Sequence, residues 1–466
     1  MASTTSPGTD AQDQGQLATR VLPIKSTNLG EFDVANTDLP LEDWEIRLSS
    51  SQDAADLQMA AEHLKSSDIP VAFPTETVYG LGADATRSAA VKGIYRAKQR
   101  PSDNPLIVHV ASLSQLRRLL HPASKTGATS DSQLAYEDPI PTIYHTLIKR
   151  FWPGPLTILL NNPVGSALAP EVTAGLDTFG ARMPRNLLAL ALIKLADVPV
   201  AAPSANASTK PSPTAAEHVL HDLNGRIELI VDGGCCDIGV ESTVVDGLSL
   251  PPSILRPGGI GLEQIRSCPG WENTTVGYRD ASEKGTAPRA PGMKYRHYSP
   301  KAPVILLEAG GVQPTENDLA RHLGTRRTLG IVRTKYWQPI AGVDTDEAQQ
   351  HVSQETSDEV TKQGRNDLAN TSPISELLQE SRVQESAPAK KFSVEDTEAC
   401  VFDVWDLNIG PDTRSVARGL FSALRTLDQK DVDAIIVEGI EDLEGDTAAA
   451  VMNRLRKAAE IKVNRL

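Results

Sequence analysis

Residues 73–110, FPTETVYGLGADATRSAAVKGIYRAKQRPSDNPLIVHV, constrain the fold of this chain more than any other stretch. They read as the end of a strand, a polar loop, a helix, a basic turn and a second strand. Residues 69–73 are a short apolar run that Pro74 ends. Thr75, Glu76 and Thr77 then place two hydroxyls and a carboxylate at the strand's mouth. Gly80 and Gly82 allow a close turn or a positive φ. Ala90, Ile94 and Ala97 recur at i, i+4 and i+7, so the helix buries one face. Lys98 and Arg100 close it before Pro101, and Asn104-Pro105 turns the chain into a strand at 106–110. Basic residues in a last helical turn often do no more than complement the helix dipole. A loop of Thr, Glu, Thr, Tyr and two glycines is poorly explained by packing. The stretch therefore suits a phosphate-bearing ligand held at strand ends.

Around it, 466 residues leave room for two or more domains with full cores. The 32 prolines and 33 glycines imply many turns. A net charge of −14 argues against a general affinity for nucleic acid while leaving room for a local basic pocket. Cys235, Cys236, Cys268 and Cys400 form no CxxC pair and no Cys/His ligand spacing, so neither a disulfide scaffold nor a zinc site is indicated. The reducing cytosol is the expected compartment. No apolar run approaches the ~20 residues that span a bilayer. Residues 1–40 lack a signal core, carry acidic residues and read as a disordered tail.

Helical and strand patterns alternate through the rest. Residues 41–66 contain a helix with Leu57, Ala60, Ala61 and Leu64 on one face. Another starts at Ser112, and 121–140 looks like a polar surface insertion. A helix at 141–151 breaks at Trp152-Pro153-Gly154-Pro155, a strand follows at 156–160, and the strand in GLDTFGARMP carries Arg182. A strand at 198–202 opens into PSANASTKPSPT, with Ser204, Asn206, Lys210 and Ser212 within nine residues. Ser212 or Thr214 could simply cap a helix, yet such strand-end loops are where α/β ligand sites sit. Glu241-Ser242-Thr243 leads into a strand, and Arg256 before Pro-Gly-Gly ends the first sheet as a surface charge or an anion contact.

Residues 268–302 read as a linker ending in PGMKYRHYSP. Its interleaved basic and aromatic residues fit a single-stranded nucleic-acid contact, a sticky connection, or a strap over a nucleotide. From 303 a second, smaller α/β unit of Rossmann type begins, interrupted by acidic sequence at 338–395 that reads as disordered. It has no GxGxxG, so no dinucleotide site is inferred. Walker A, HExxH and GxSxG motifs are absent as well. Cations, hydroxyls and amides at strand ends fit a reaction driven by binding a polyanion and stabilising developing charge. Nucleotide transfer from a metal-bound triphosphate is a natural example.

PTETVYGLG, IYRAKQRPSDNPLIVHV, FWPGPLT, GARMP, APSANAS, ESTVVD and ILRPGGI, in this order and spacing, resemble the threonylcarbamoyl-AMP synthase family over about residues 50–265. PGMKYRHYSP, LFSALRTLD and VMNRLRKAA resemble its longer, two-domain form. The resemblance implies an α/β fold with a twisted YrdC-like sheet around a deep basic cavity at 41–267, a linker at 268–302 closing over it, and a Rossmann-like domain at 303–466. It implies condensation of L-threonine, bicarbonate and ATP, with Mg²⁺, to threonylcarbamoyl-adenylate and pyrophosphate. The product would pass to tRNA threonylcarbamoyl transferase machinery. Direct tRNA binding stays open, and the rival reading is an RNA-binding or single-stranded-nucleic-acid-binding protein that uses the same cavity. Carried residue by residue, Thr77, His109, Arg182, Ala202 and Ser242 would hold threonine. Lys98, Arg100, Asn104, Thr178, Ser204, Ser212, Arg256 and Tyr295 would hold ATP, with Asn206 and His297 as weaker candidates. No side chain is assigned to a metal.

Overall fold

The computed structural model describes residues 17–34, 42–121, 138–278, 298–315, 317–319, 328–339, 389–395 and 401–463. Eleven strands among them join in one mixed sheet. Across it the order is Arg20–Pro23, Leu229–Asp232, Val71–Phe73, Gly80–Asp84, Val200–Ala201, Ile107–His109, Thr178–Arg182, Leu156–Asn161, Thr243–Asp246, Ser253–Arg256 and Thr275–Val276. Val71–Phe73, Gly80–Asp84 and Ile107–His109 are buried at every residue, so helices and loops cover both faces here and the strands read as continuous apolar runs.

The helix Gln52–Ser66 starts where the Ser51 side chain accepts from the Ala54 amide, and it buries Leu57, Ala60, Ala61 and Leu64 as their spacing predicts. The helix Leu187–Ala196, capped by Asn186, is apolar nearly all round and is a core element. Ile107–His109 runs parallel to Thr178–Arg182 with His109 opposite Arg182. It runs antiparallel to Val200–Ala201 with His109 opposite Val200. That register gathers the ends of the central strands at one rim.

Glycine serves a different purpose here from the one its loop position suggests. Gly80 and Gly82 lie in the strand Gly80–Asp84, and neither has positive φ. A Cβ on Gly82 would lie 2.6 Å from the Phe73 ring and 2.8 Å from Val200 Cγ1, so the position is fixed by close approach.

Several boundaries differ from those expected. Residues 20–34 are not a disordered tail: Arg20–Pro23 pairs in parallel with Leu229–Asp232, and Gly30–Val34 forms a hairpin with Trp44–Leu48. A short apolar set, Leu22, Ile24 and Leu29, is buried in the main core despite the polar composition around it. The linker boundary at 268 also moves. Cys268 and Trp271 are buried, Trp271 donates to the Ile143 carbonyl at 2.8 Å, and Thr275–Val276 extends the first sheet beyond Arg256. The polar insertion ends earlier than residue 140, since Ile140 is buried and Asp138 pairs with Arg117 at 2.9 Å. Residues 390–395 of the acidic stretch form a strand antiparallel to Val401–Asn408. The remainder of both insertions, at 122–137 and 340–388, lies outside the described residues.

The second sheet has six strands in the order Lys390–Glu395, Val401–Asn408, Thr328–Arg333, Ala434–Glu438, Val304–Leu307 and Ile461–Val463. All but the first edge pair run parallel. The helix Thr413–Gln429 is N-capped by Asp412 and buries Val416, Leu420, Leu424 and Leu427. No helix among the described residues is long and apolar enough to cross a membrane.

The two domains share a core in which Val78 and Val240 of the first pack with Leu420, Phe421 and Val451 of the second. Two buried arginines, Arg425 and Arg454, cross with it. Arg425 donates to Asp222 Oδ2 at 2.8 Å and to the Pro211 carbonyl. Burial opposes the charge on Asp222, but Arg425 and Lys210 outweigh it and hold the carboxyl below its usual value. Removing one partner of such a pair leaves an uncompensated charge and costs about 3–5 kcal/mol. Arg425→Met is therefore expected to lower the urea midpoint of the whole chain well below that of the parent. An unchanged midpoint would show that the pair contributes nothing.

Candidate functional site

The rim of the first sheet opens into a cavity of about 200 Å³. Its first wall is the loop after Val71–Phe73. Thr75 Oγ1 accepts from the Thr77 and Val78 amides at 3.2 Å and donates to the Val78 carbonyl at 2.7 Å, which folds the loop into a tight turn. Thr75 and Thr77 hydroxyls lie 2.9 Å apart, and both residues line the cavity.

Arg182 comes to that turn from the end of its strand. Its Nη1 donates to Thr77 Oγ1 at 3.0 Å. Its Nη2 lies 2.7 Å from Glu76 Oε1 but off the hydrogen-bonding direction, so the two are matched in charge with hydrogen-bonding capacity unused. His109, beside it in register, is held neutral at physiological pH: burial and then Arg182 push it down to about 3. Burial penalises the imidazolium, and a neighbouring cation adds repulsion.

The second wall is made by the helix Ser88–Lys98 and the turn after it. Gln99 ends the helix in the left-handed region at φ 52°. Lys98, expected as a solvated helix end or a phosphate ligand, is instead buried against a loop. Its ammonium donates to the Ser204 carbonyl and, at 2.6 Å, to the Asn206 carbonyl, with Asn206 Oδ1 at 3.3 Å. Burial, then Arg100, pushes its pKa well down. Arg100 is itself lowered by burial, to about 10, and stays charged. Arg100 Nε, Asn104 Oδ1 and His109 Nδ1 are buried with no hydrogen-bond partner among the described residues. Polar atoms left this way in a cavity wall are candidates to meet a ligand.

The third wall comes from Ser242 and Arg256. Ser242 Oγ lies 2.8 Å from Thr157 Oγ1. Arg256 donates to the Ser242 carbonyl at 2.9 Å and to its hydroxyl at 3.0 Å. Gly258 permits this approach, since a Cβ there would meet the Thr243 amide at 2.3 Å. Burial lowers Arg256 to about 10, against Glu241 and Tyr298.

Thr77, Lys98, Arg100, Asn104, His109, Arg182, Ala202, Ser204, Asn206, Ser242 and Arg256 thus come together around one cavity. Thr178 and Ser212 are not on its wall. Thr178 begins the strand that Arg182 ends, and Ser212 stands behind Glu241, donating to it at 2.8 Å. Tyr295 and His297 fall outside the described residues. Glu241, Tyr298 and Thr209 line the cavity without having been expected to, as does Lys210, which was singled out in its loop but given no ligand. Each lies within a motif or loop already singled out, so adjacency to Ser242, Ser212 and the PGMKYRHYSP end was the available signal. Tyr298 stacks on Phe421 of the second domain at 5.1 Å between ring centroids, which fixes the end of the linker over the cavity.

Two family models match, Sua5/YciO/YrdC (described as telomere recombination) over residues 64–258 and the threonylcarbamoyl-AMP synthase C-terminal domain over 260–460. A threonylcarbamoyl-AMP synthase of Schizosaccharomyces pombe is 44% identical over 445 residues, covering 93% of this chain and 96% of that one. The chain belongs to the two-domain threonylcarbamoyl-AMP synthase family. The Pyrococcus abyssi enzyme is 38% identical over 91% of this chain and 96% of its own. The crystal structure of P. abyssi Sua5 complexed with L-threonine superposes with a TM-score of 0.65 at 33% identity, covering 96% of this chain and all of that one. Both domains therefore have counterparts in the family, in the same order along the chain.

Proposed function

We propose that this cavity condenses L-threonine, bicarbonate and ATP into threonylcarbamoyl-adenylate and pyrophosphate, the precursor of threonylcarbamoyladenosine in tRNA. The observation that carries the reading is the meeting of two polar sets around one cavity. Arg182, Thr77 and neutral His109 suit an amino acid, and Arg100, Asn104 and Arg256 suit a nucleotide. Lys98, Arg100, Arg182, Lys210 and Arg256 line the cavity, with Glu241 the one carboxylate on its wall among the described residues, which supports a basic site fitted to a polyanion.

Arg182 clamps the threonine carboxylate with the Nη2 it leaves unbonded. The neutral threonine amine attacks the bicarbonate carbon, a C–O bond breaks and water leaves, giving a carbamate; a carbamate oxygen then attacks the α-phosphorus while the bond to the bridging oxygen breaks and pyrophosphate leaves. Burial matters because the carbamate is short-lived in water. Arg100 and Asn104 receive the phosphates. Lys98 acts indirectly, since its ammonium is already held by the 204–206 turn. No group of three or more His, Cys, Asp or Glu among the described residues could hold a metal ion. Mg²⁺ would accompany ATP and would supply charge neutralisation to its phosphates, beside Arg100 and Asn104.

The test is pyrophosphate release by the full chain with each substrate omitted in turn, the adenylate being identified by mass. Release is expected only when ATP, threonine and bicarbonate are all present. Undiminished release without threonine would end this reading.

A further inference from the structure

Glu241 is the one carboxylate on the cavity wall among the described residues, and a bare carboxylate facing a triphosphate would repel it. Tyr298 of the cavity wall hydrogen-bonds to Glu241, and two further partners come from outside the cavity. Ser212 donates to Oε1 at 2.8 Å. Arg454, from the helix Asp446–Ala458 of the second domain, donates Nε to Oε2 at 3.0 Å. The same guanidinium donates Nη1 to the Pro257 carbonyl at 2.7 Å. Arg454 is 1% exposed, so this is a buried, charge-assisted contact. It holds the residue before Ser242 and the residue after Arg256, which are themselves joined by the Arg256–Ser242 hydrogen bonds.

We propose that Arg454 is a positioning residue for the nucleotide: from the second domain it neutralises Glu241 and so leaves Arg256 directed at the anion. The inference rests on the reading above in which Arg256 faces ATP. Burial opposes the charge of Glu241, but Arg454, then Arg256 and Ser212, hold it at about 2. Arg256 is thus the other cation acting on that carboxylate. A buried charge that loses its partner draws on the nearest alternative. With Arg454 removed, Glu241 competes with the triphosphate for Arg256 and repels it at the same time. The second domain is in this sense part of the electrostatics of the first domain's site.

The experiment measures ATP and threonine KM in the full chain for Arg454→Met, Glu241→Gln, the double variant and Arg256→Ala. Arg454→Met is expected to raise the ATP KM roughly tenfold while threonine KM moves less than about twofold. Glu241→Gln should lower the ATP KM by about threefold. In the double variant the ATP KM should return to within about threefold of the parent, because no carboxylate remains to compete. A merely structural Arg454 would reduce the folded fraction and kcat and leave the KM values alone.

An unchanged ATP KM in Arg454→Met, or no recovery on adding Glu241→Gln, would overturn the proposal. If Arg454→Met does not fold, Glu241→Gln decides alone, and a raised ATP KM there overturns it. Arg256→Ala separates the two levels. If it leaves the ATP KM unchanged, the nucleotide site is misplaced and the inference falls with it. If it raises the ATP KM and Arg454→Met does not, only the role of Arg454 falls.

Discussion

Replacing Arg182 with alanine is expected to raise the threonine KM by about 10- to 100-fold, since a charge-assisted hydrogen bond contributes about 1.5–3 kcal/mol. Two effects have to be separated. The first is loss of the carboxylate clamp. The second is local: Glu76 is buried and lies 2.7 Å from Arg182 Nη2, so the substitution leaves its charge uncompensated. Arg182 also holds Thr77 Oγ1, and without it the 75–78 turn keeps the bonds of Thr75 and those that the Ile238 and Gly239 amides donate to the Glu76 and Thr77 carbonyls. Adding Glu76→Gln to Arg182→Ala removes the stranded charge and is expected to restore the denaturation midpoint while leaving threonine KM high. Stability and substrate affinity then report on different neighbours of one guanidinium. If the single variant shows a threonine KM within about twofold of the parent, Arg182 does not bind the amino acid.

The positions of Arg182 and His109 were legible because they sit at the ends of the strands in the GARMP and NPLIVHV motifs. Their register, His109 opposite Arg182, is a consequence of parallel pairing between strands about 70 residues apart, which no local pattern encodes. Leu22, Ile24 and Leu29 were hidden for a related reason. Three apolar residues in a polar stretch carry no period, and only pairing of Arg20–Pro23 with Leu229–Asp232 makes them core. The contribution of Arg454 was hidden more deeply. On its own helix it reads as one more basic residue near the C-terminal end, and its partner Glu241 is 213 residues away. Local chemistry thus announced the first wall of the cavity, and tertiary pairing supplied the cation that neutralises Glu241 beside the third.

Lys98 is where the sequence and the structure divide most sharply, and Lys98→Met should reduce kcat/KM for ATP by at least about 100-fold, the scale set by misplacing a binding group by ~1 Å. The reason is not loss of a phosphate contact. The ammonium meets the carbonyls of Ser204 and Asn206 and the side-chain oxygen of Asn206, so its donors are used in fixing the turn. That turn begins the loop carrying Ser204, Asn206, Ser208, Thr209 and Lys210 onto the cavity wall. Methionine fills similar volume but leaves those carbonyls without a donor, at about 1–3 kcal/mol for each buried group left unpaired. Part of that loss is offset, because a cation that burial disfavours has been removed. Stability is therefore expected to change less than turnover. Affinity for AMP distinguishes the indirect role from a direct one. A lysine that touched the β- or γ-phosphate would matter for ATP and not for AMP. A lysine that holds the 204–210 loop should weaken both by comparable factors in titration calorimetry. Weakening confined to ATP would return Lys98 to the phosphates, and turnover within tenfold of the parent would show that the loop keeps its shape without this anchor.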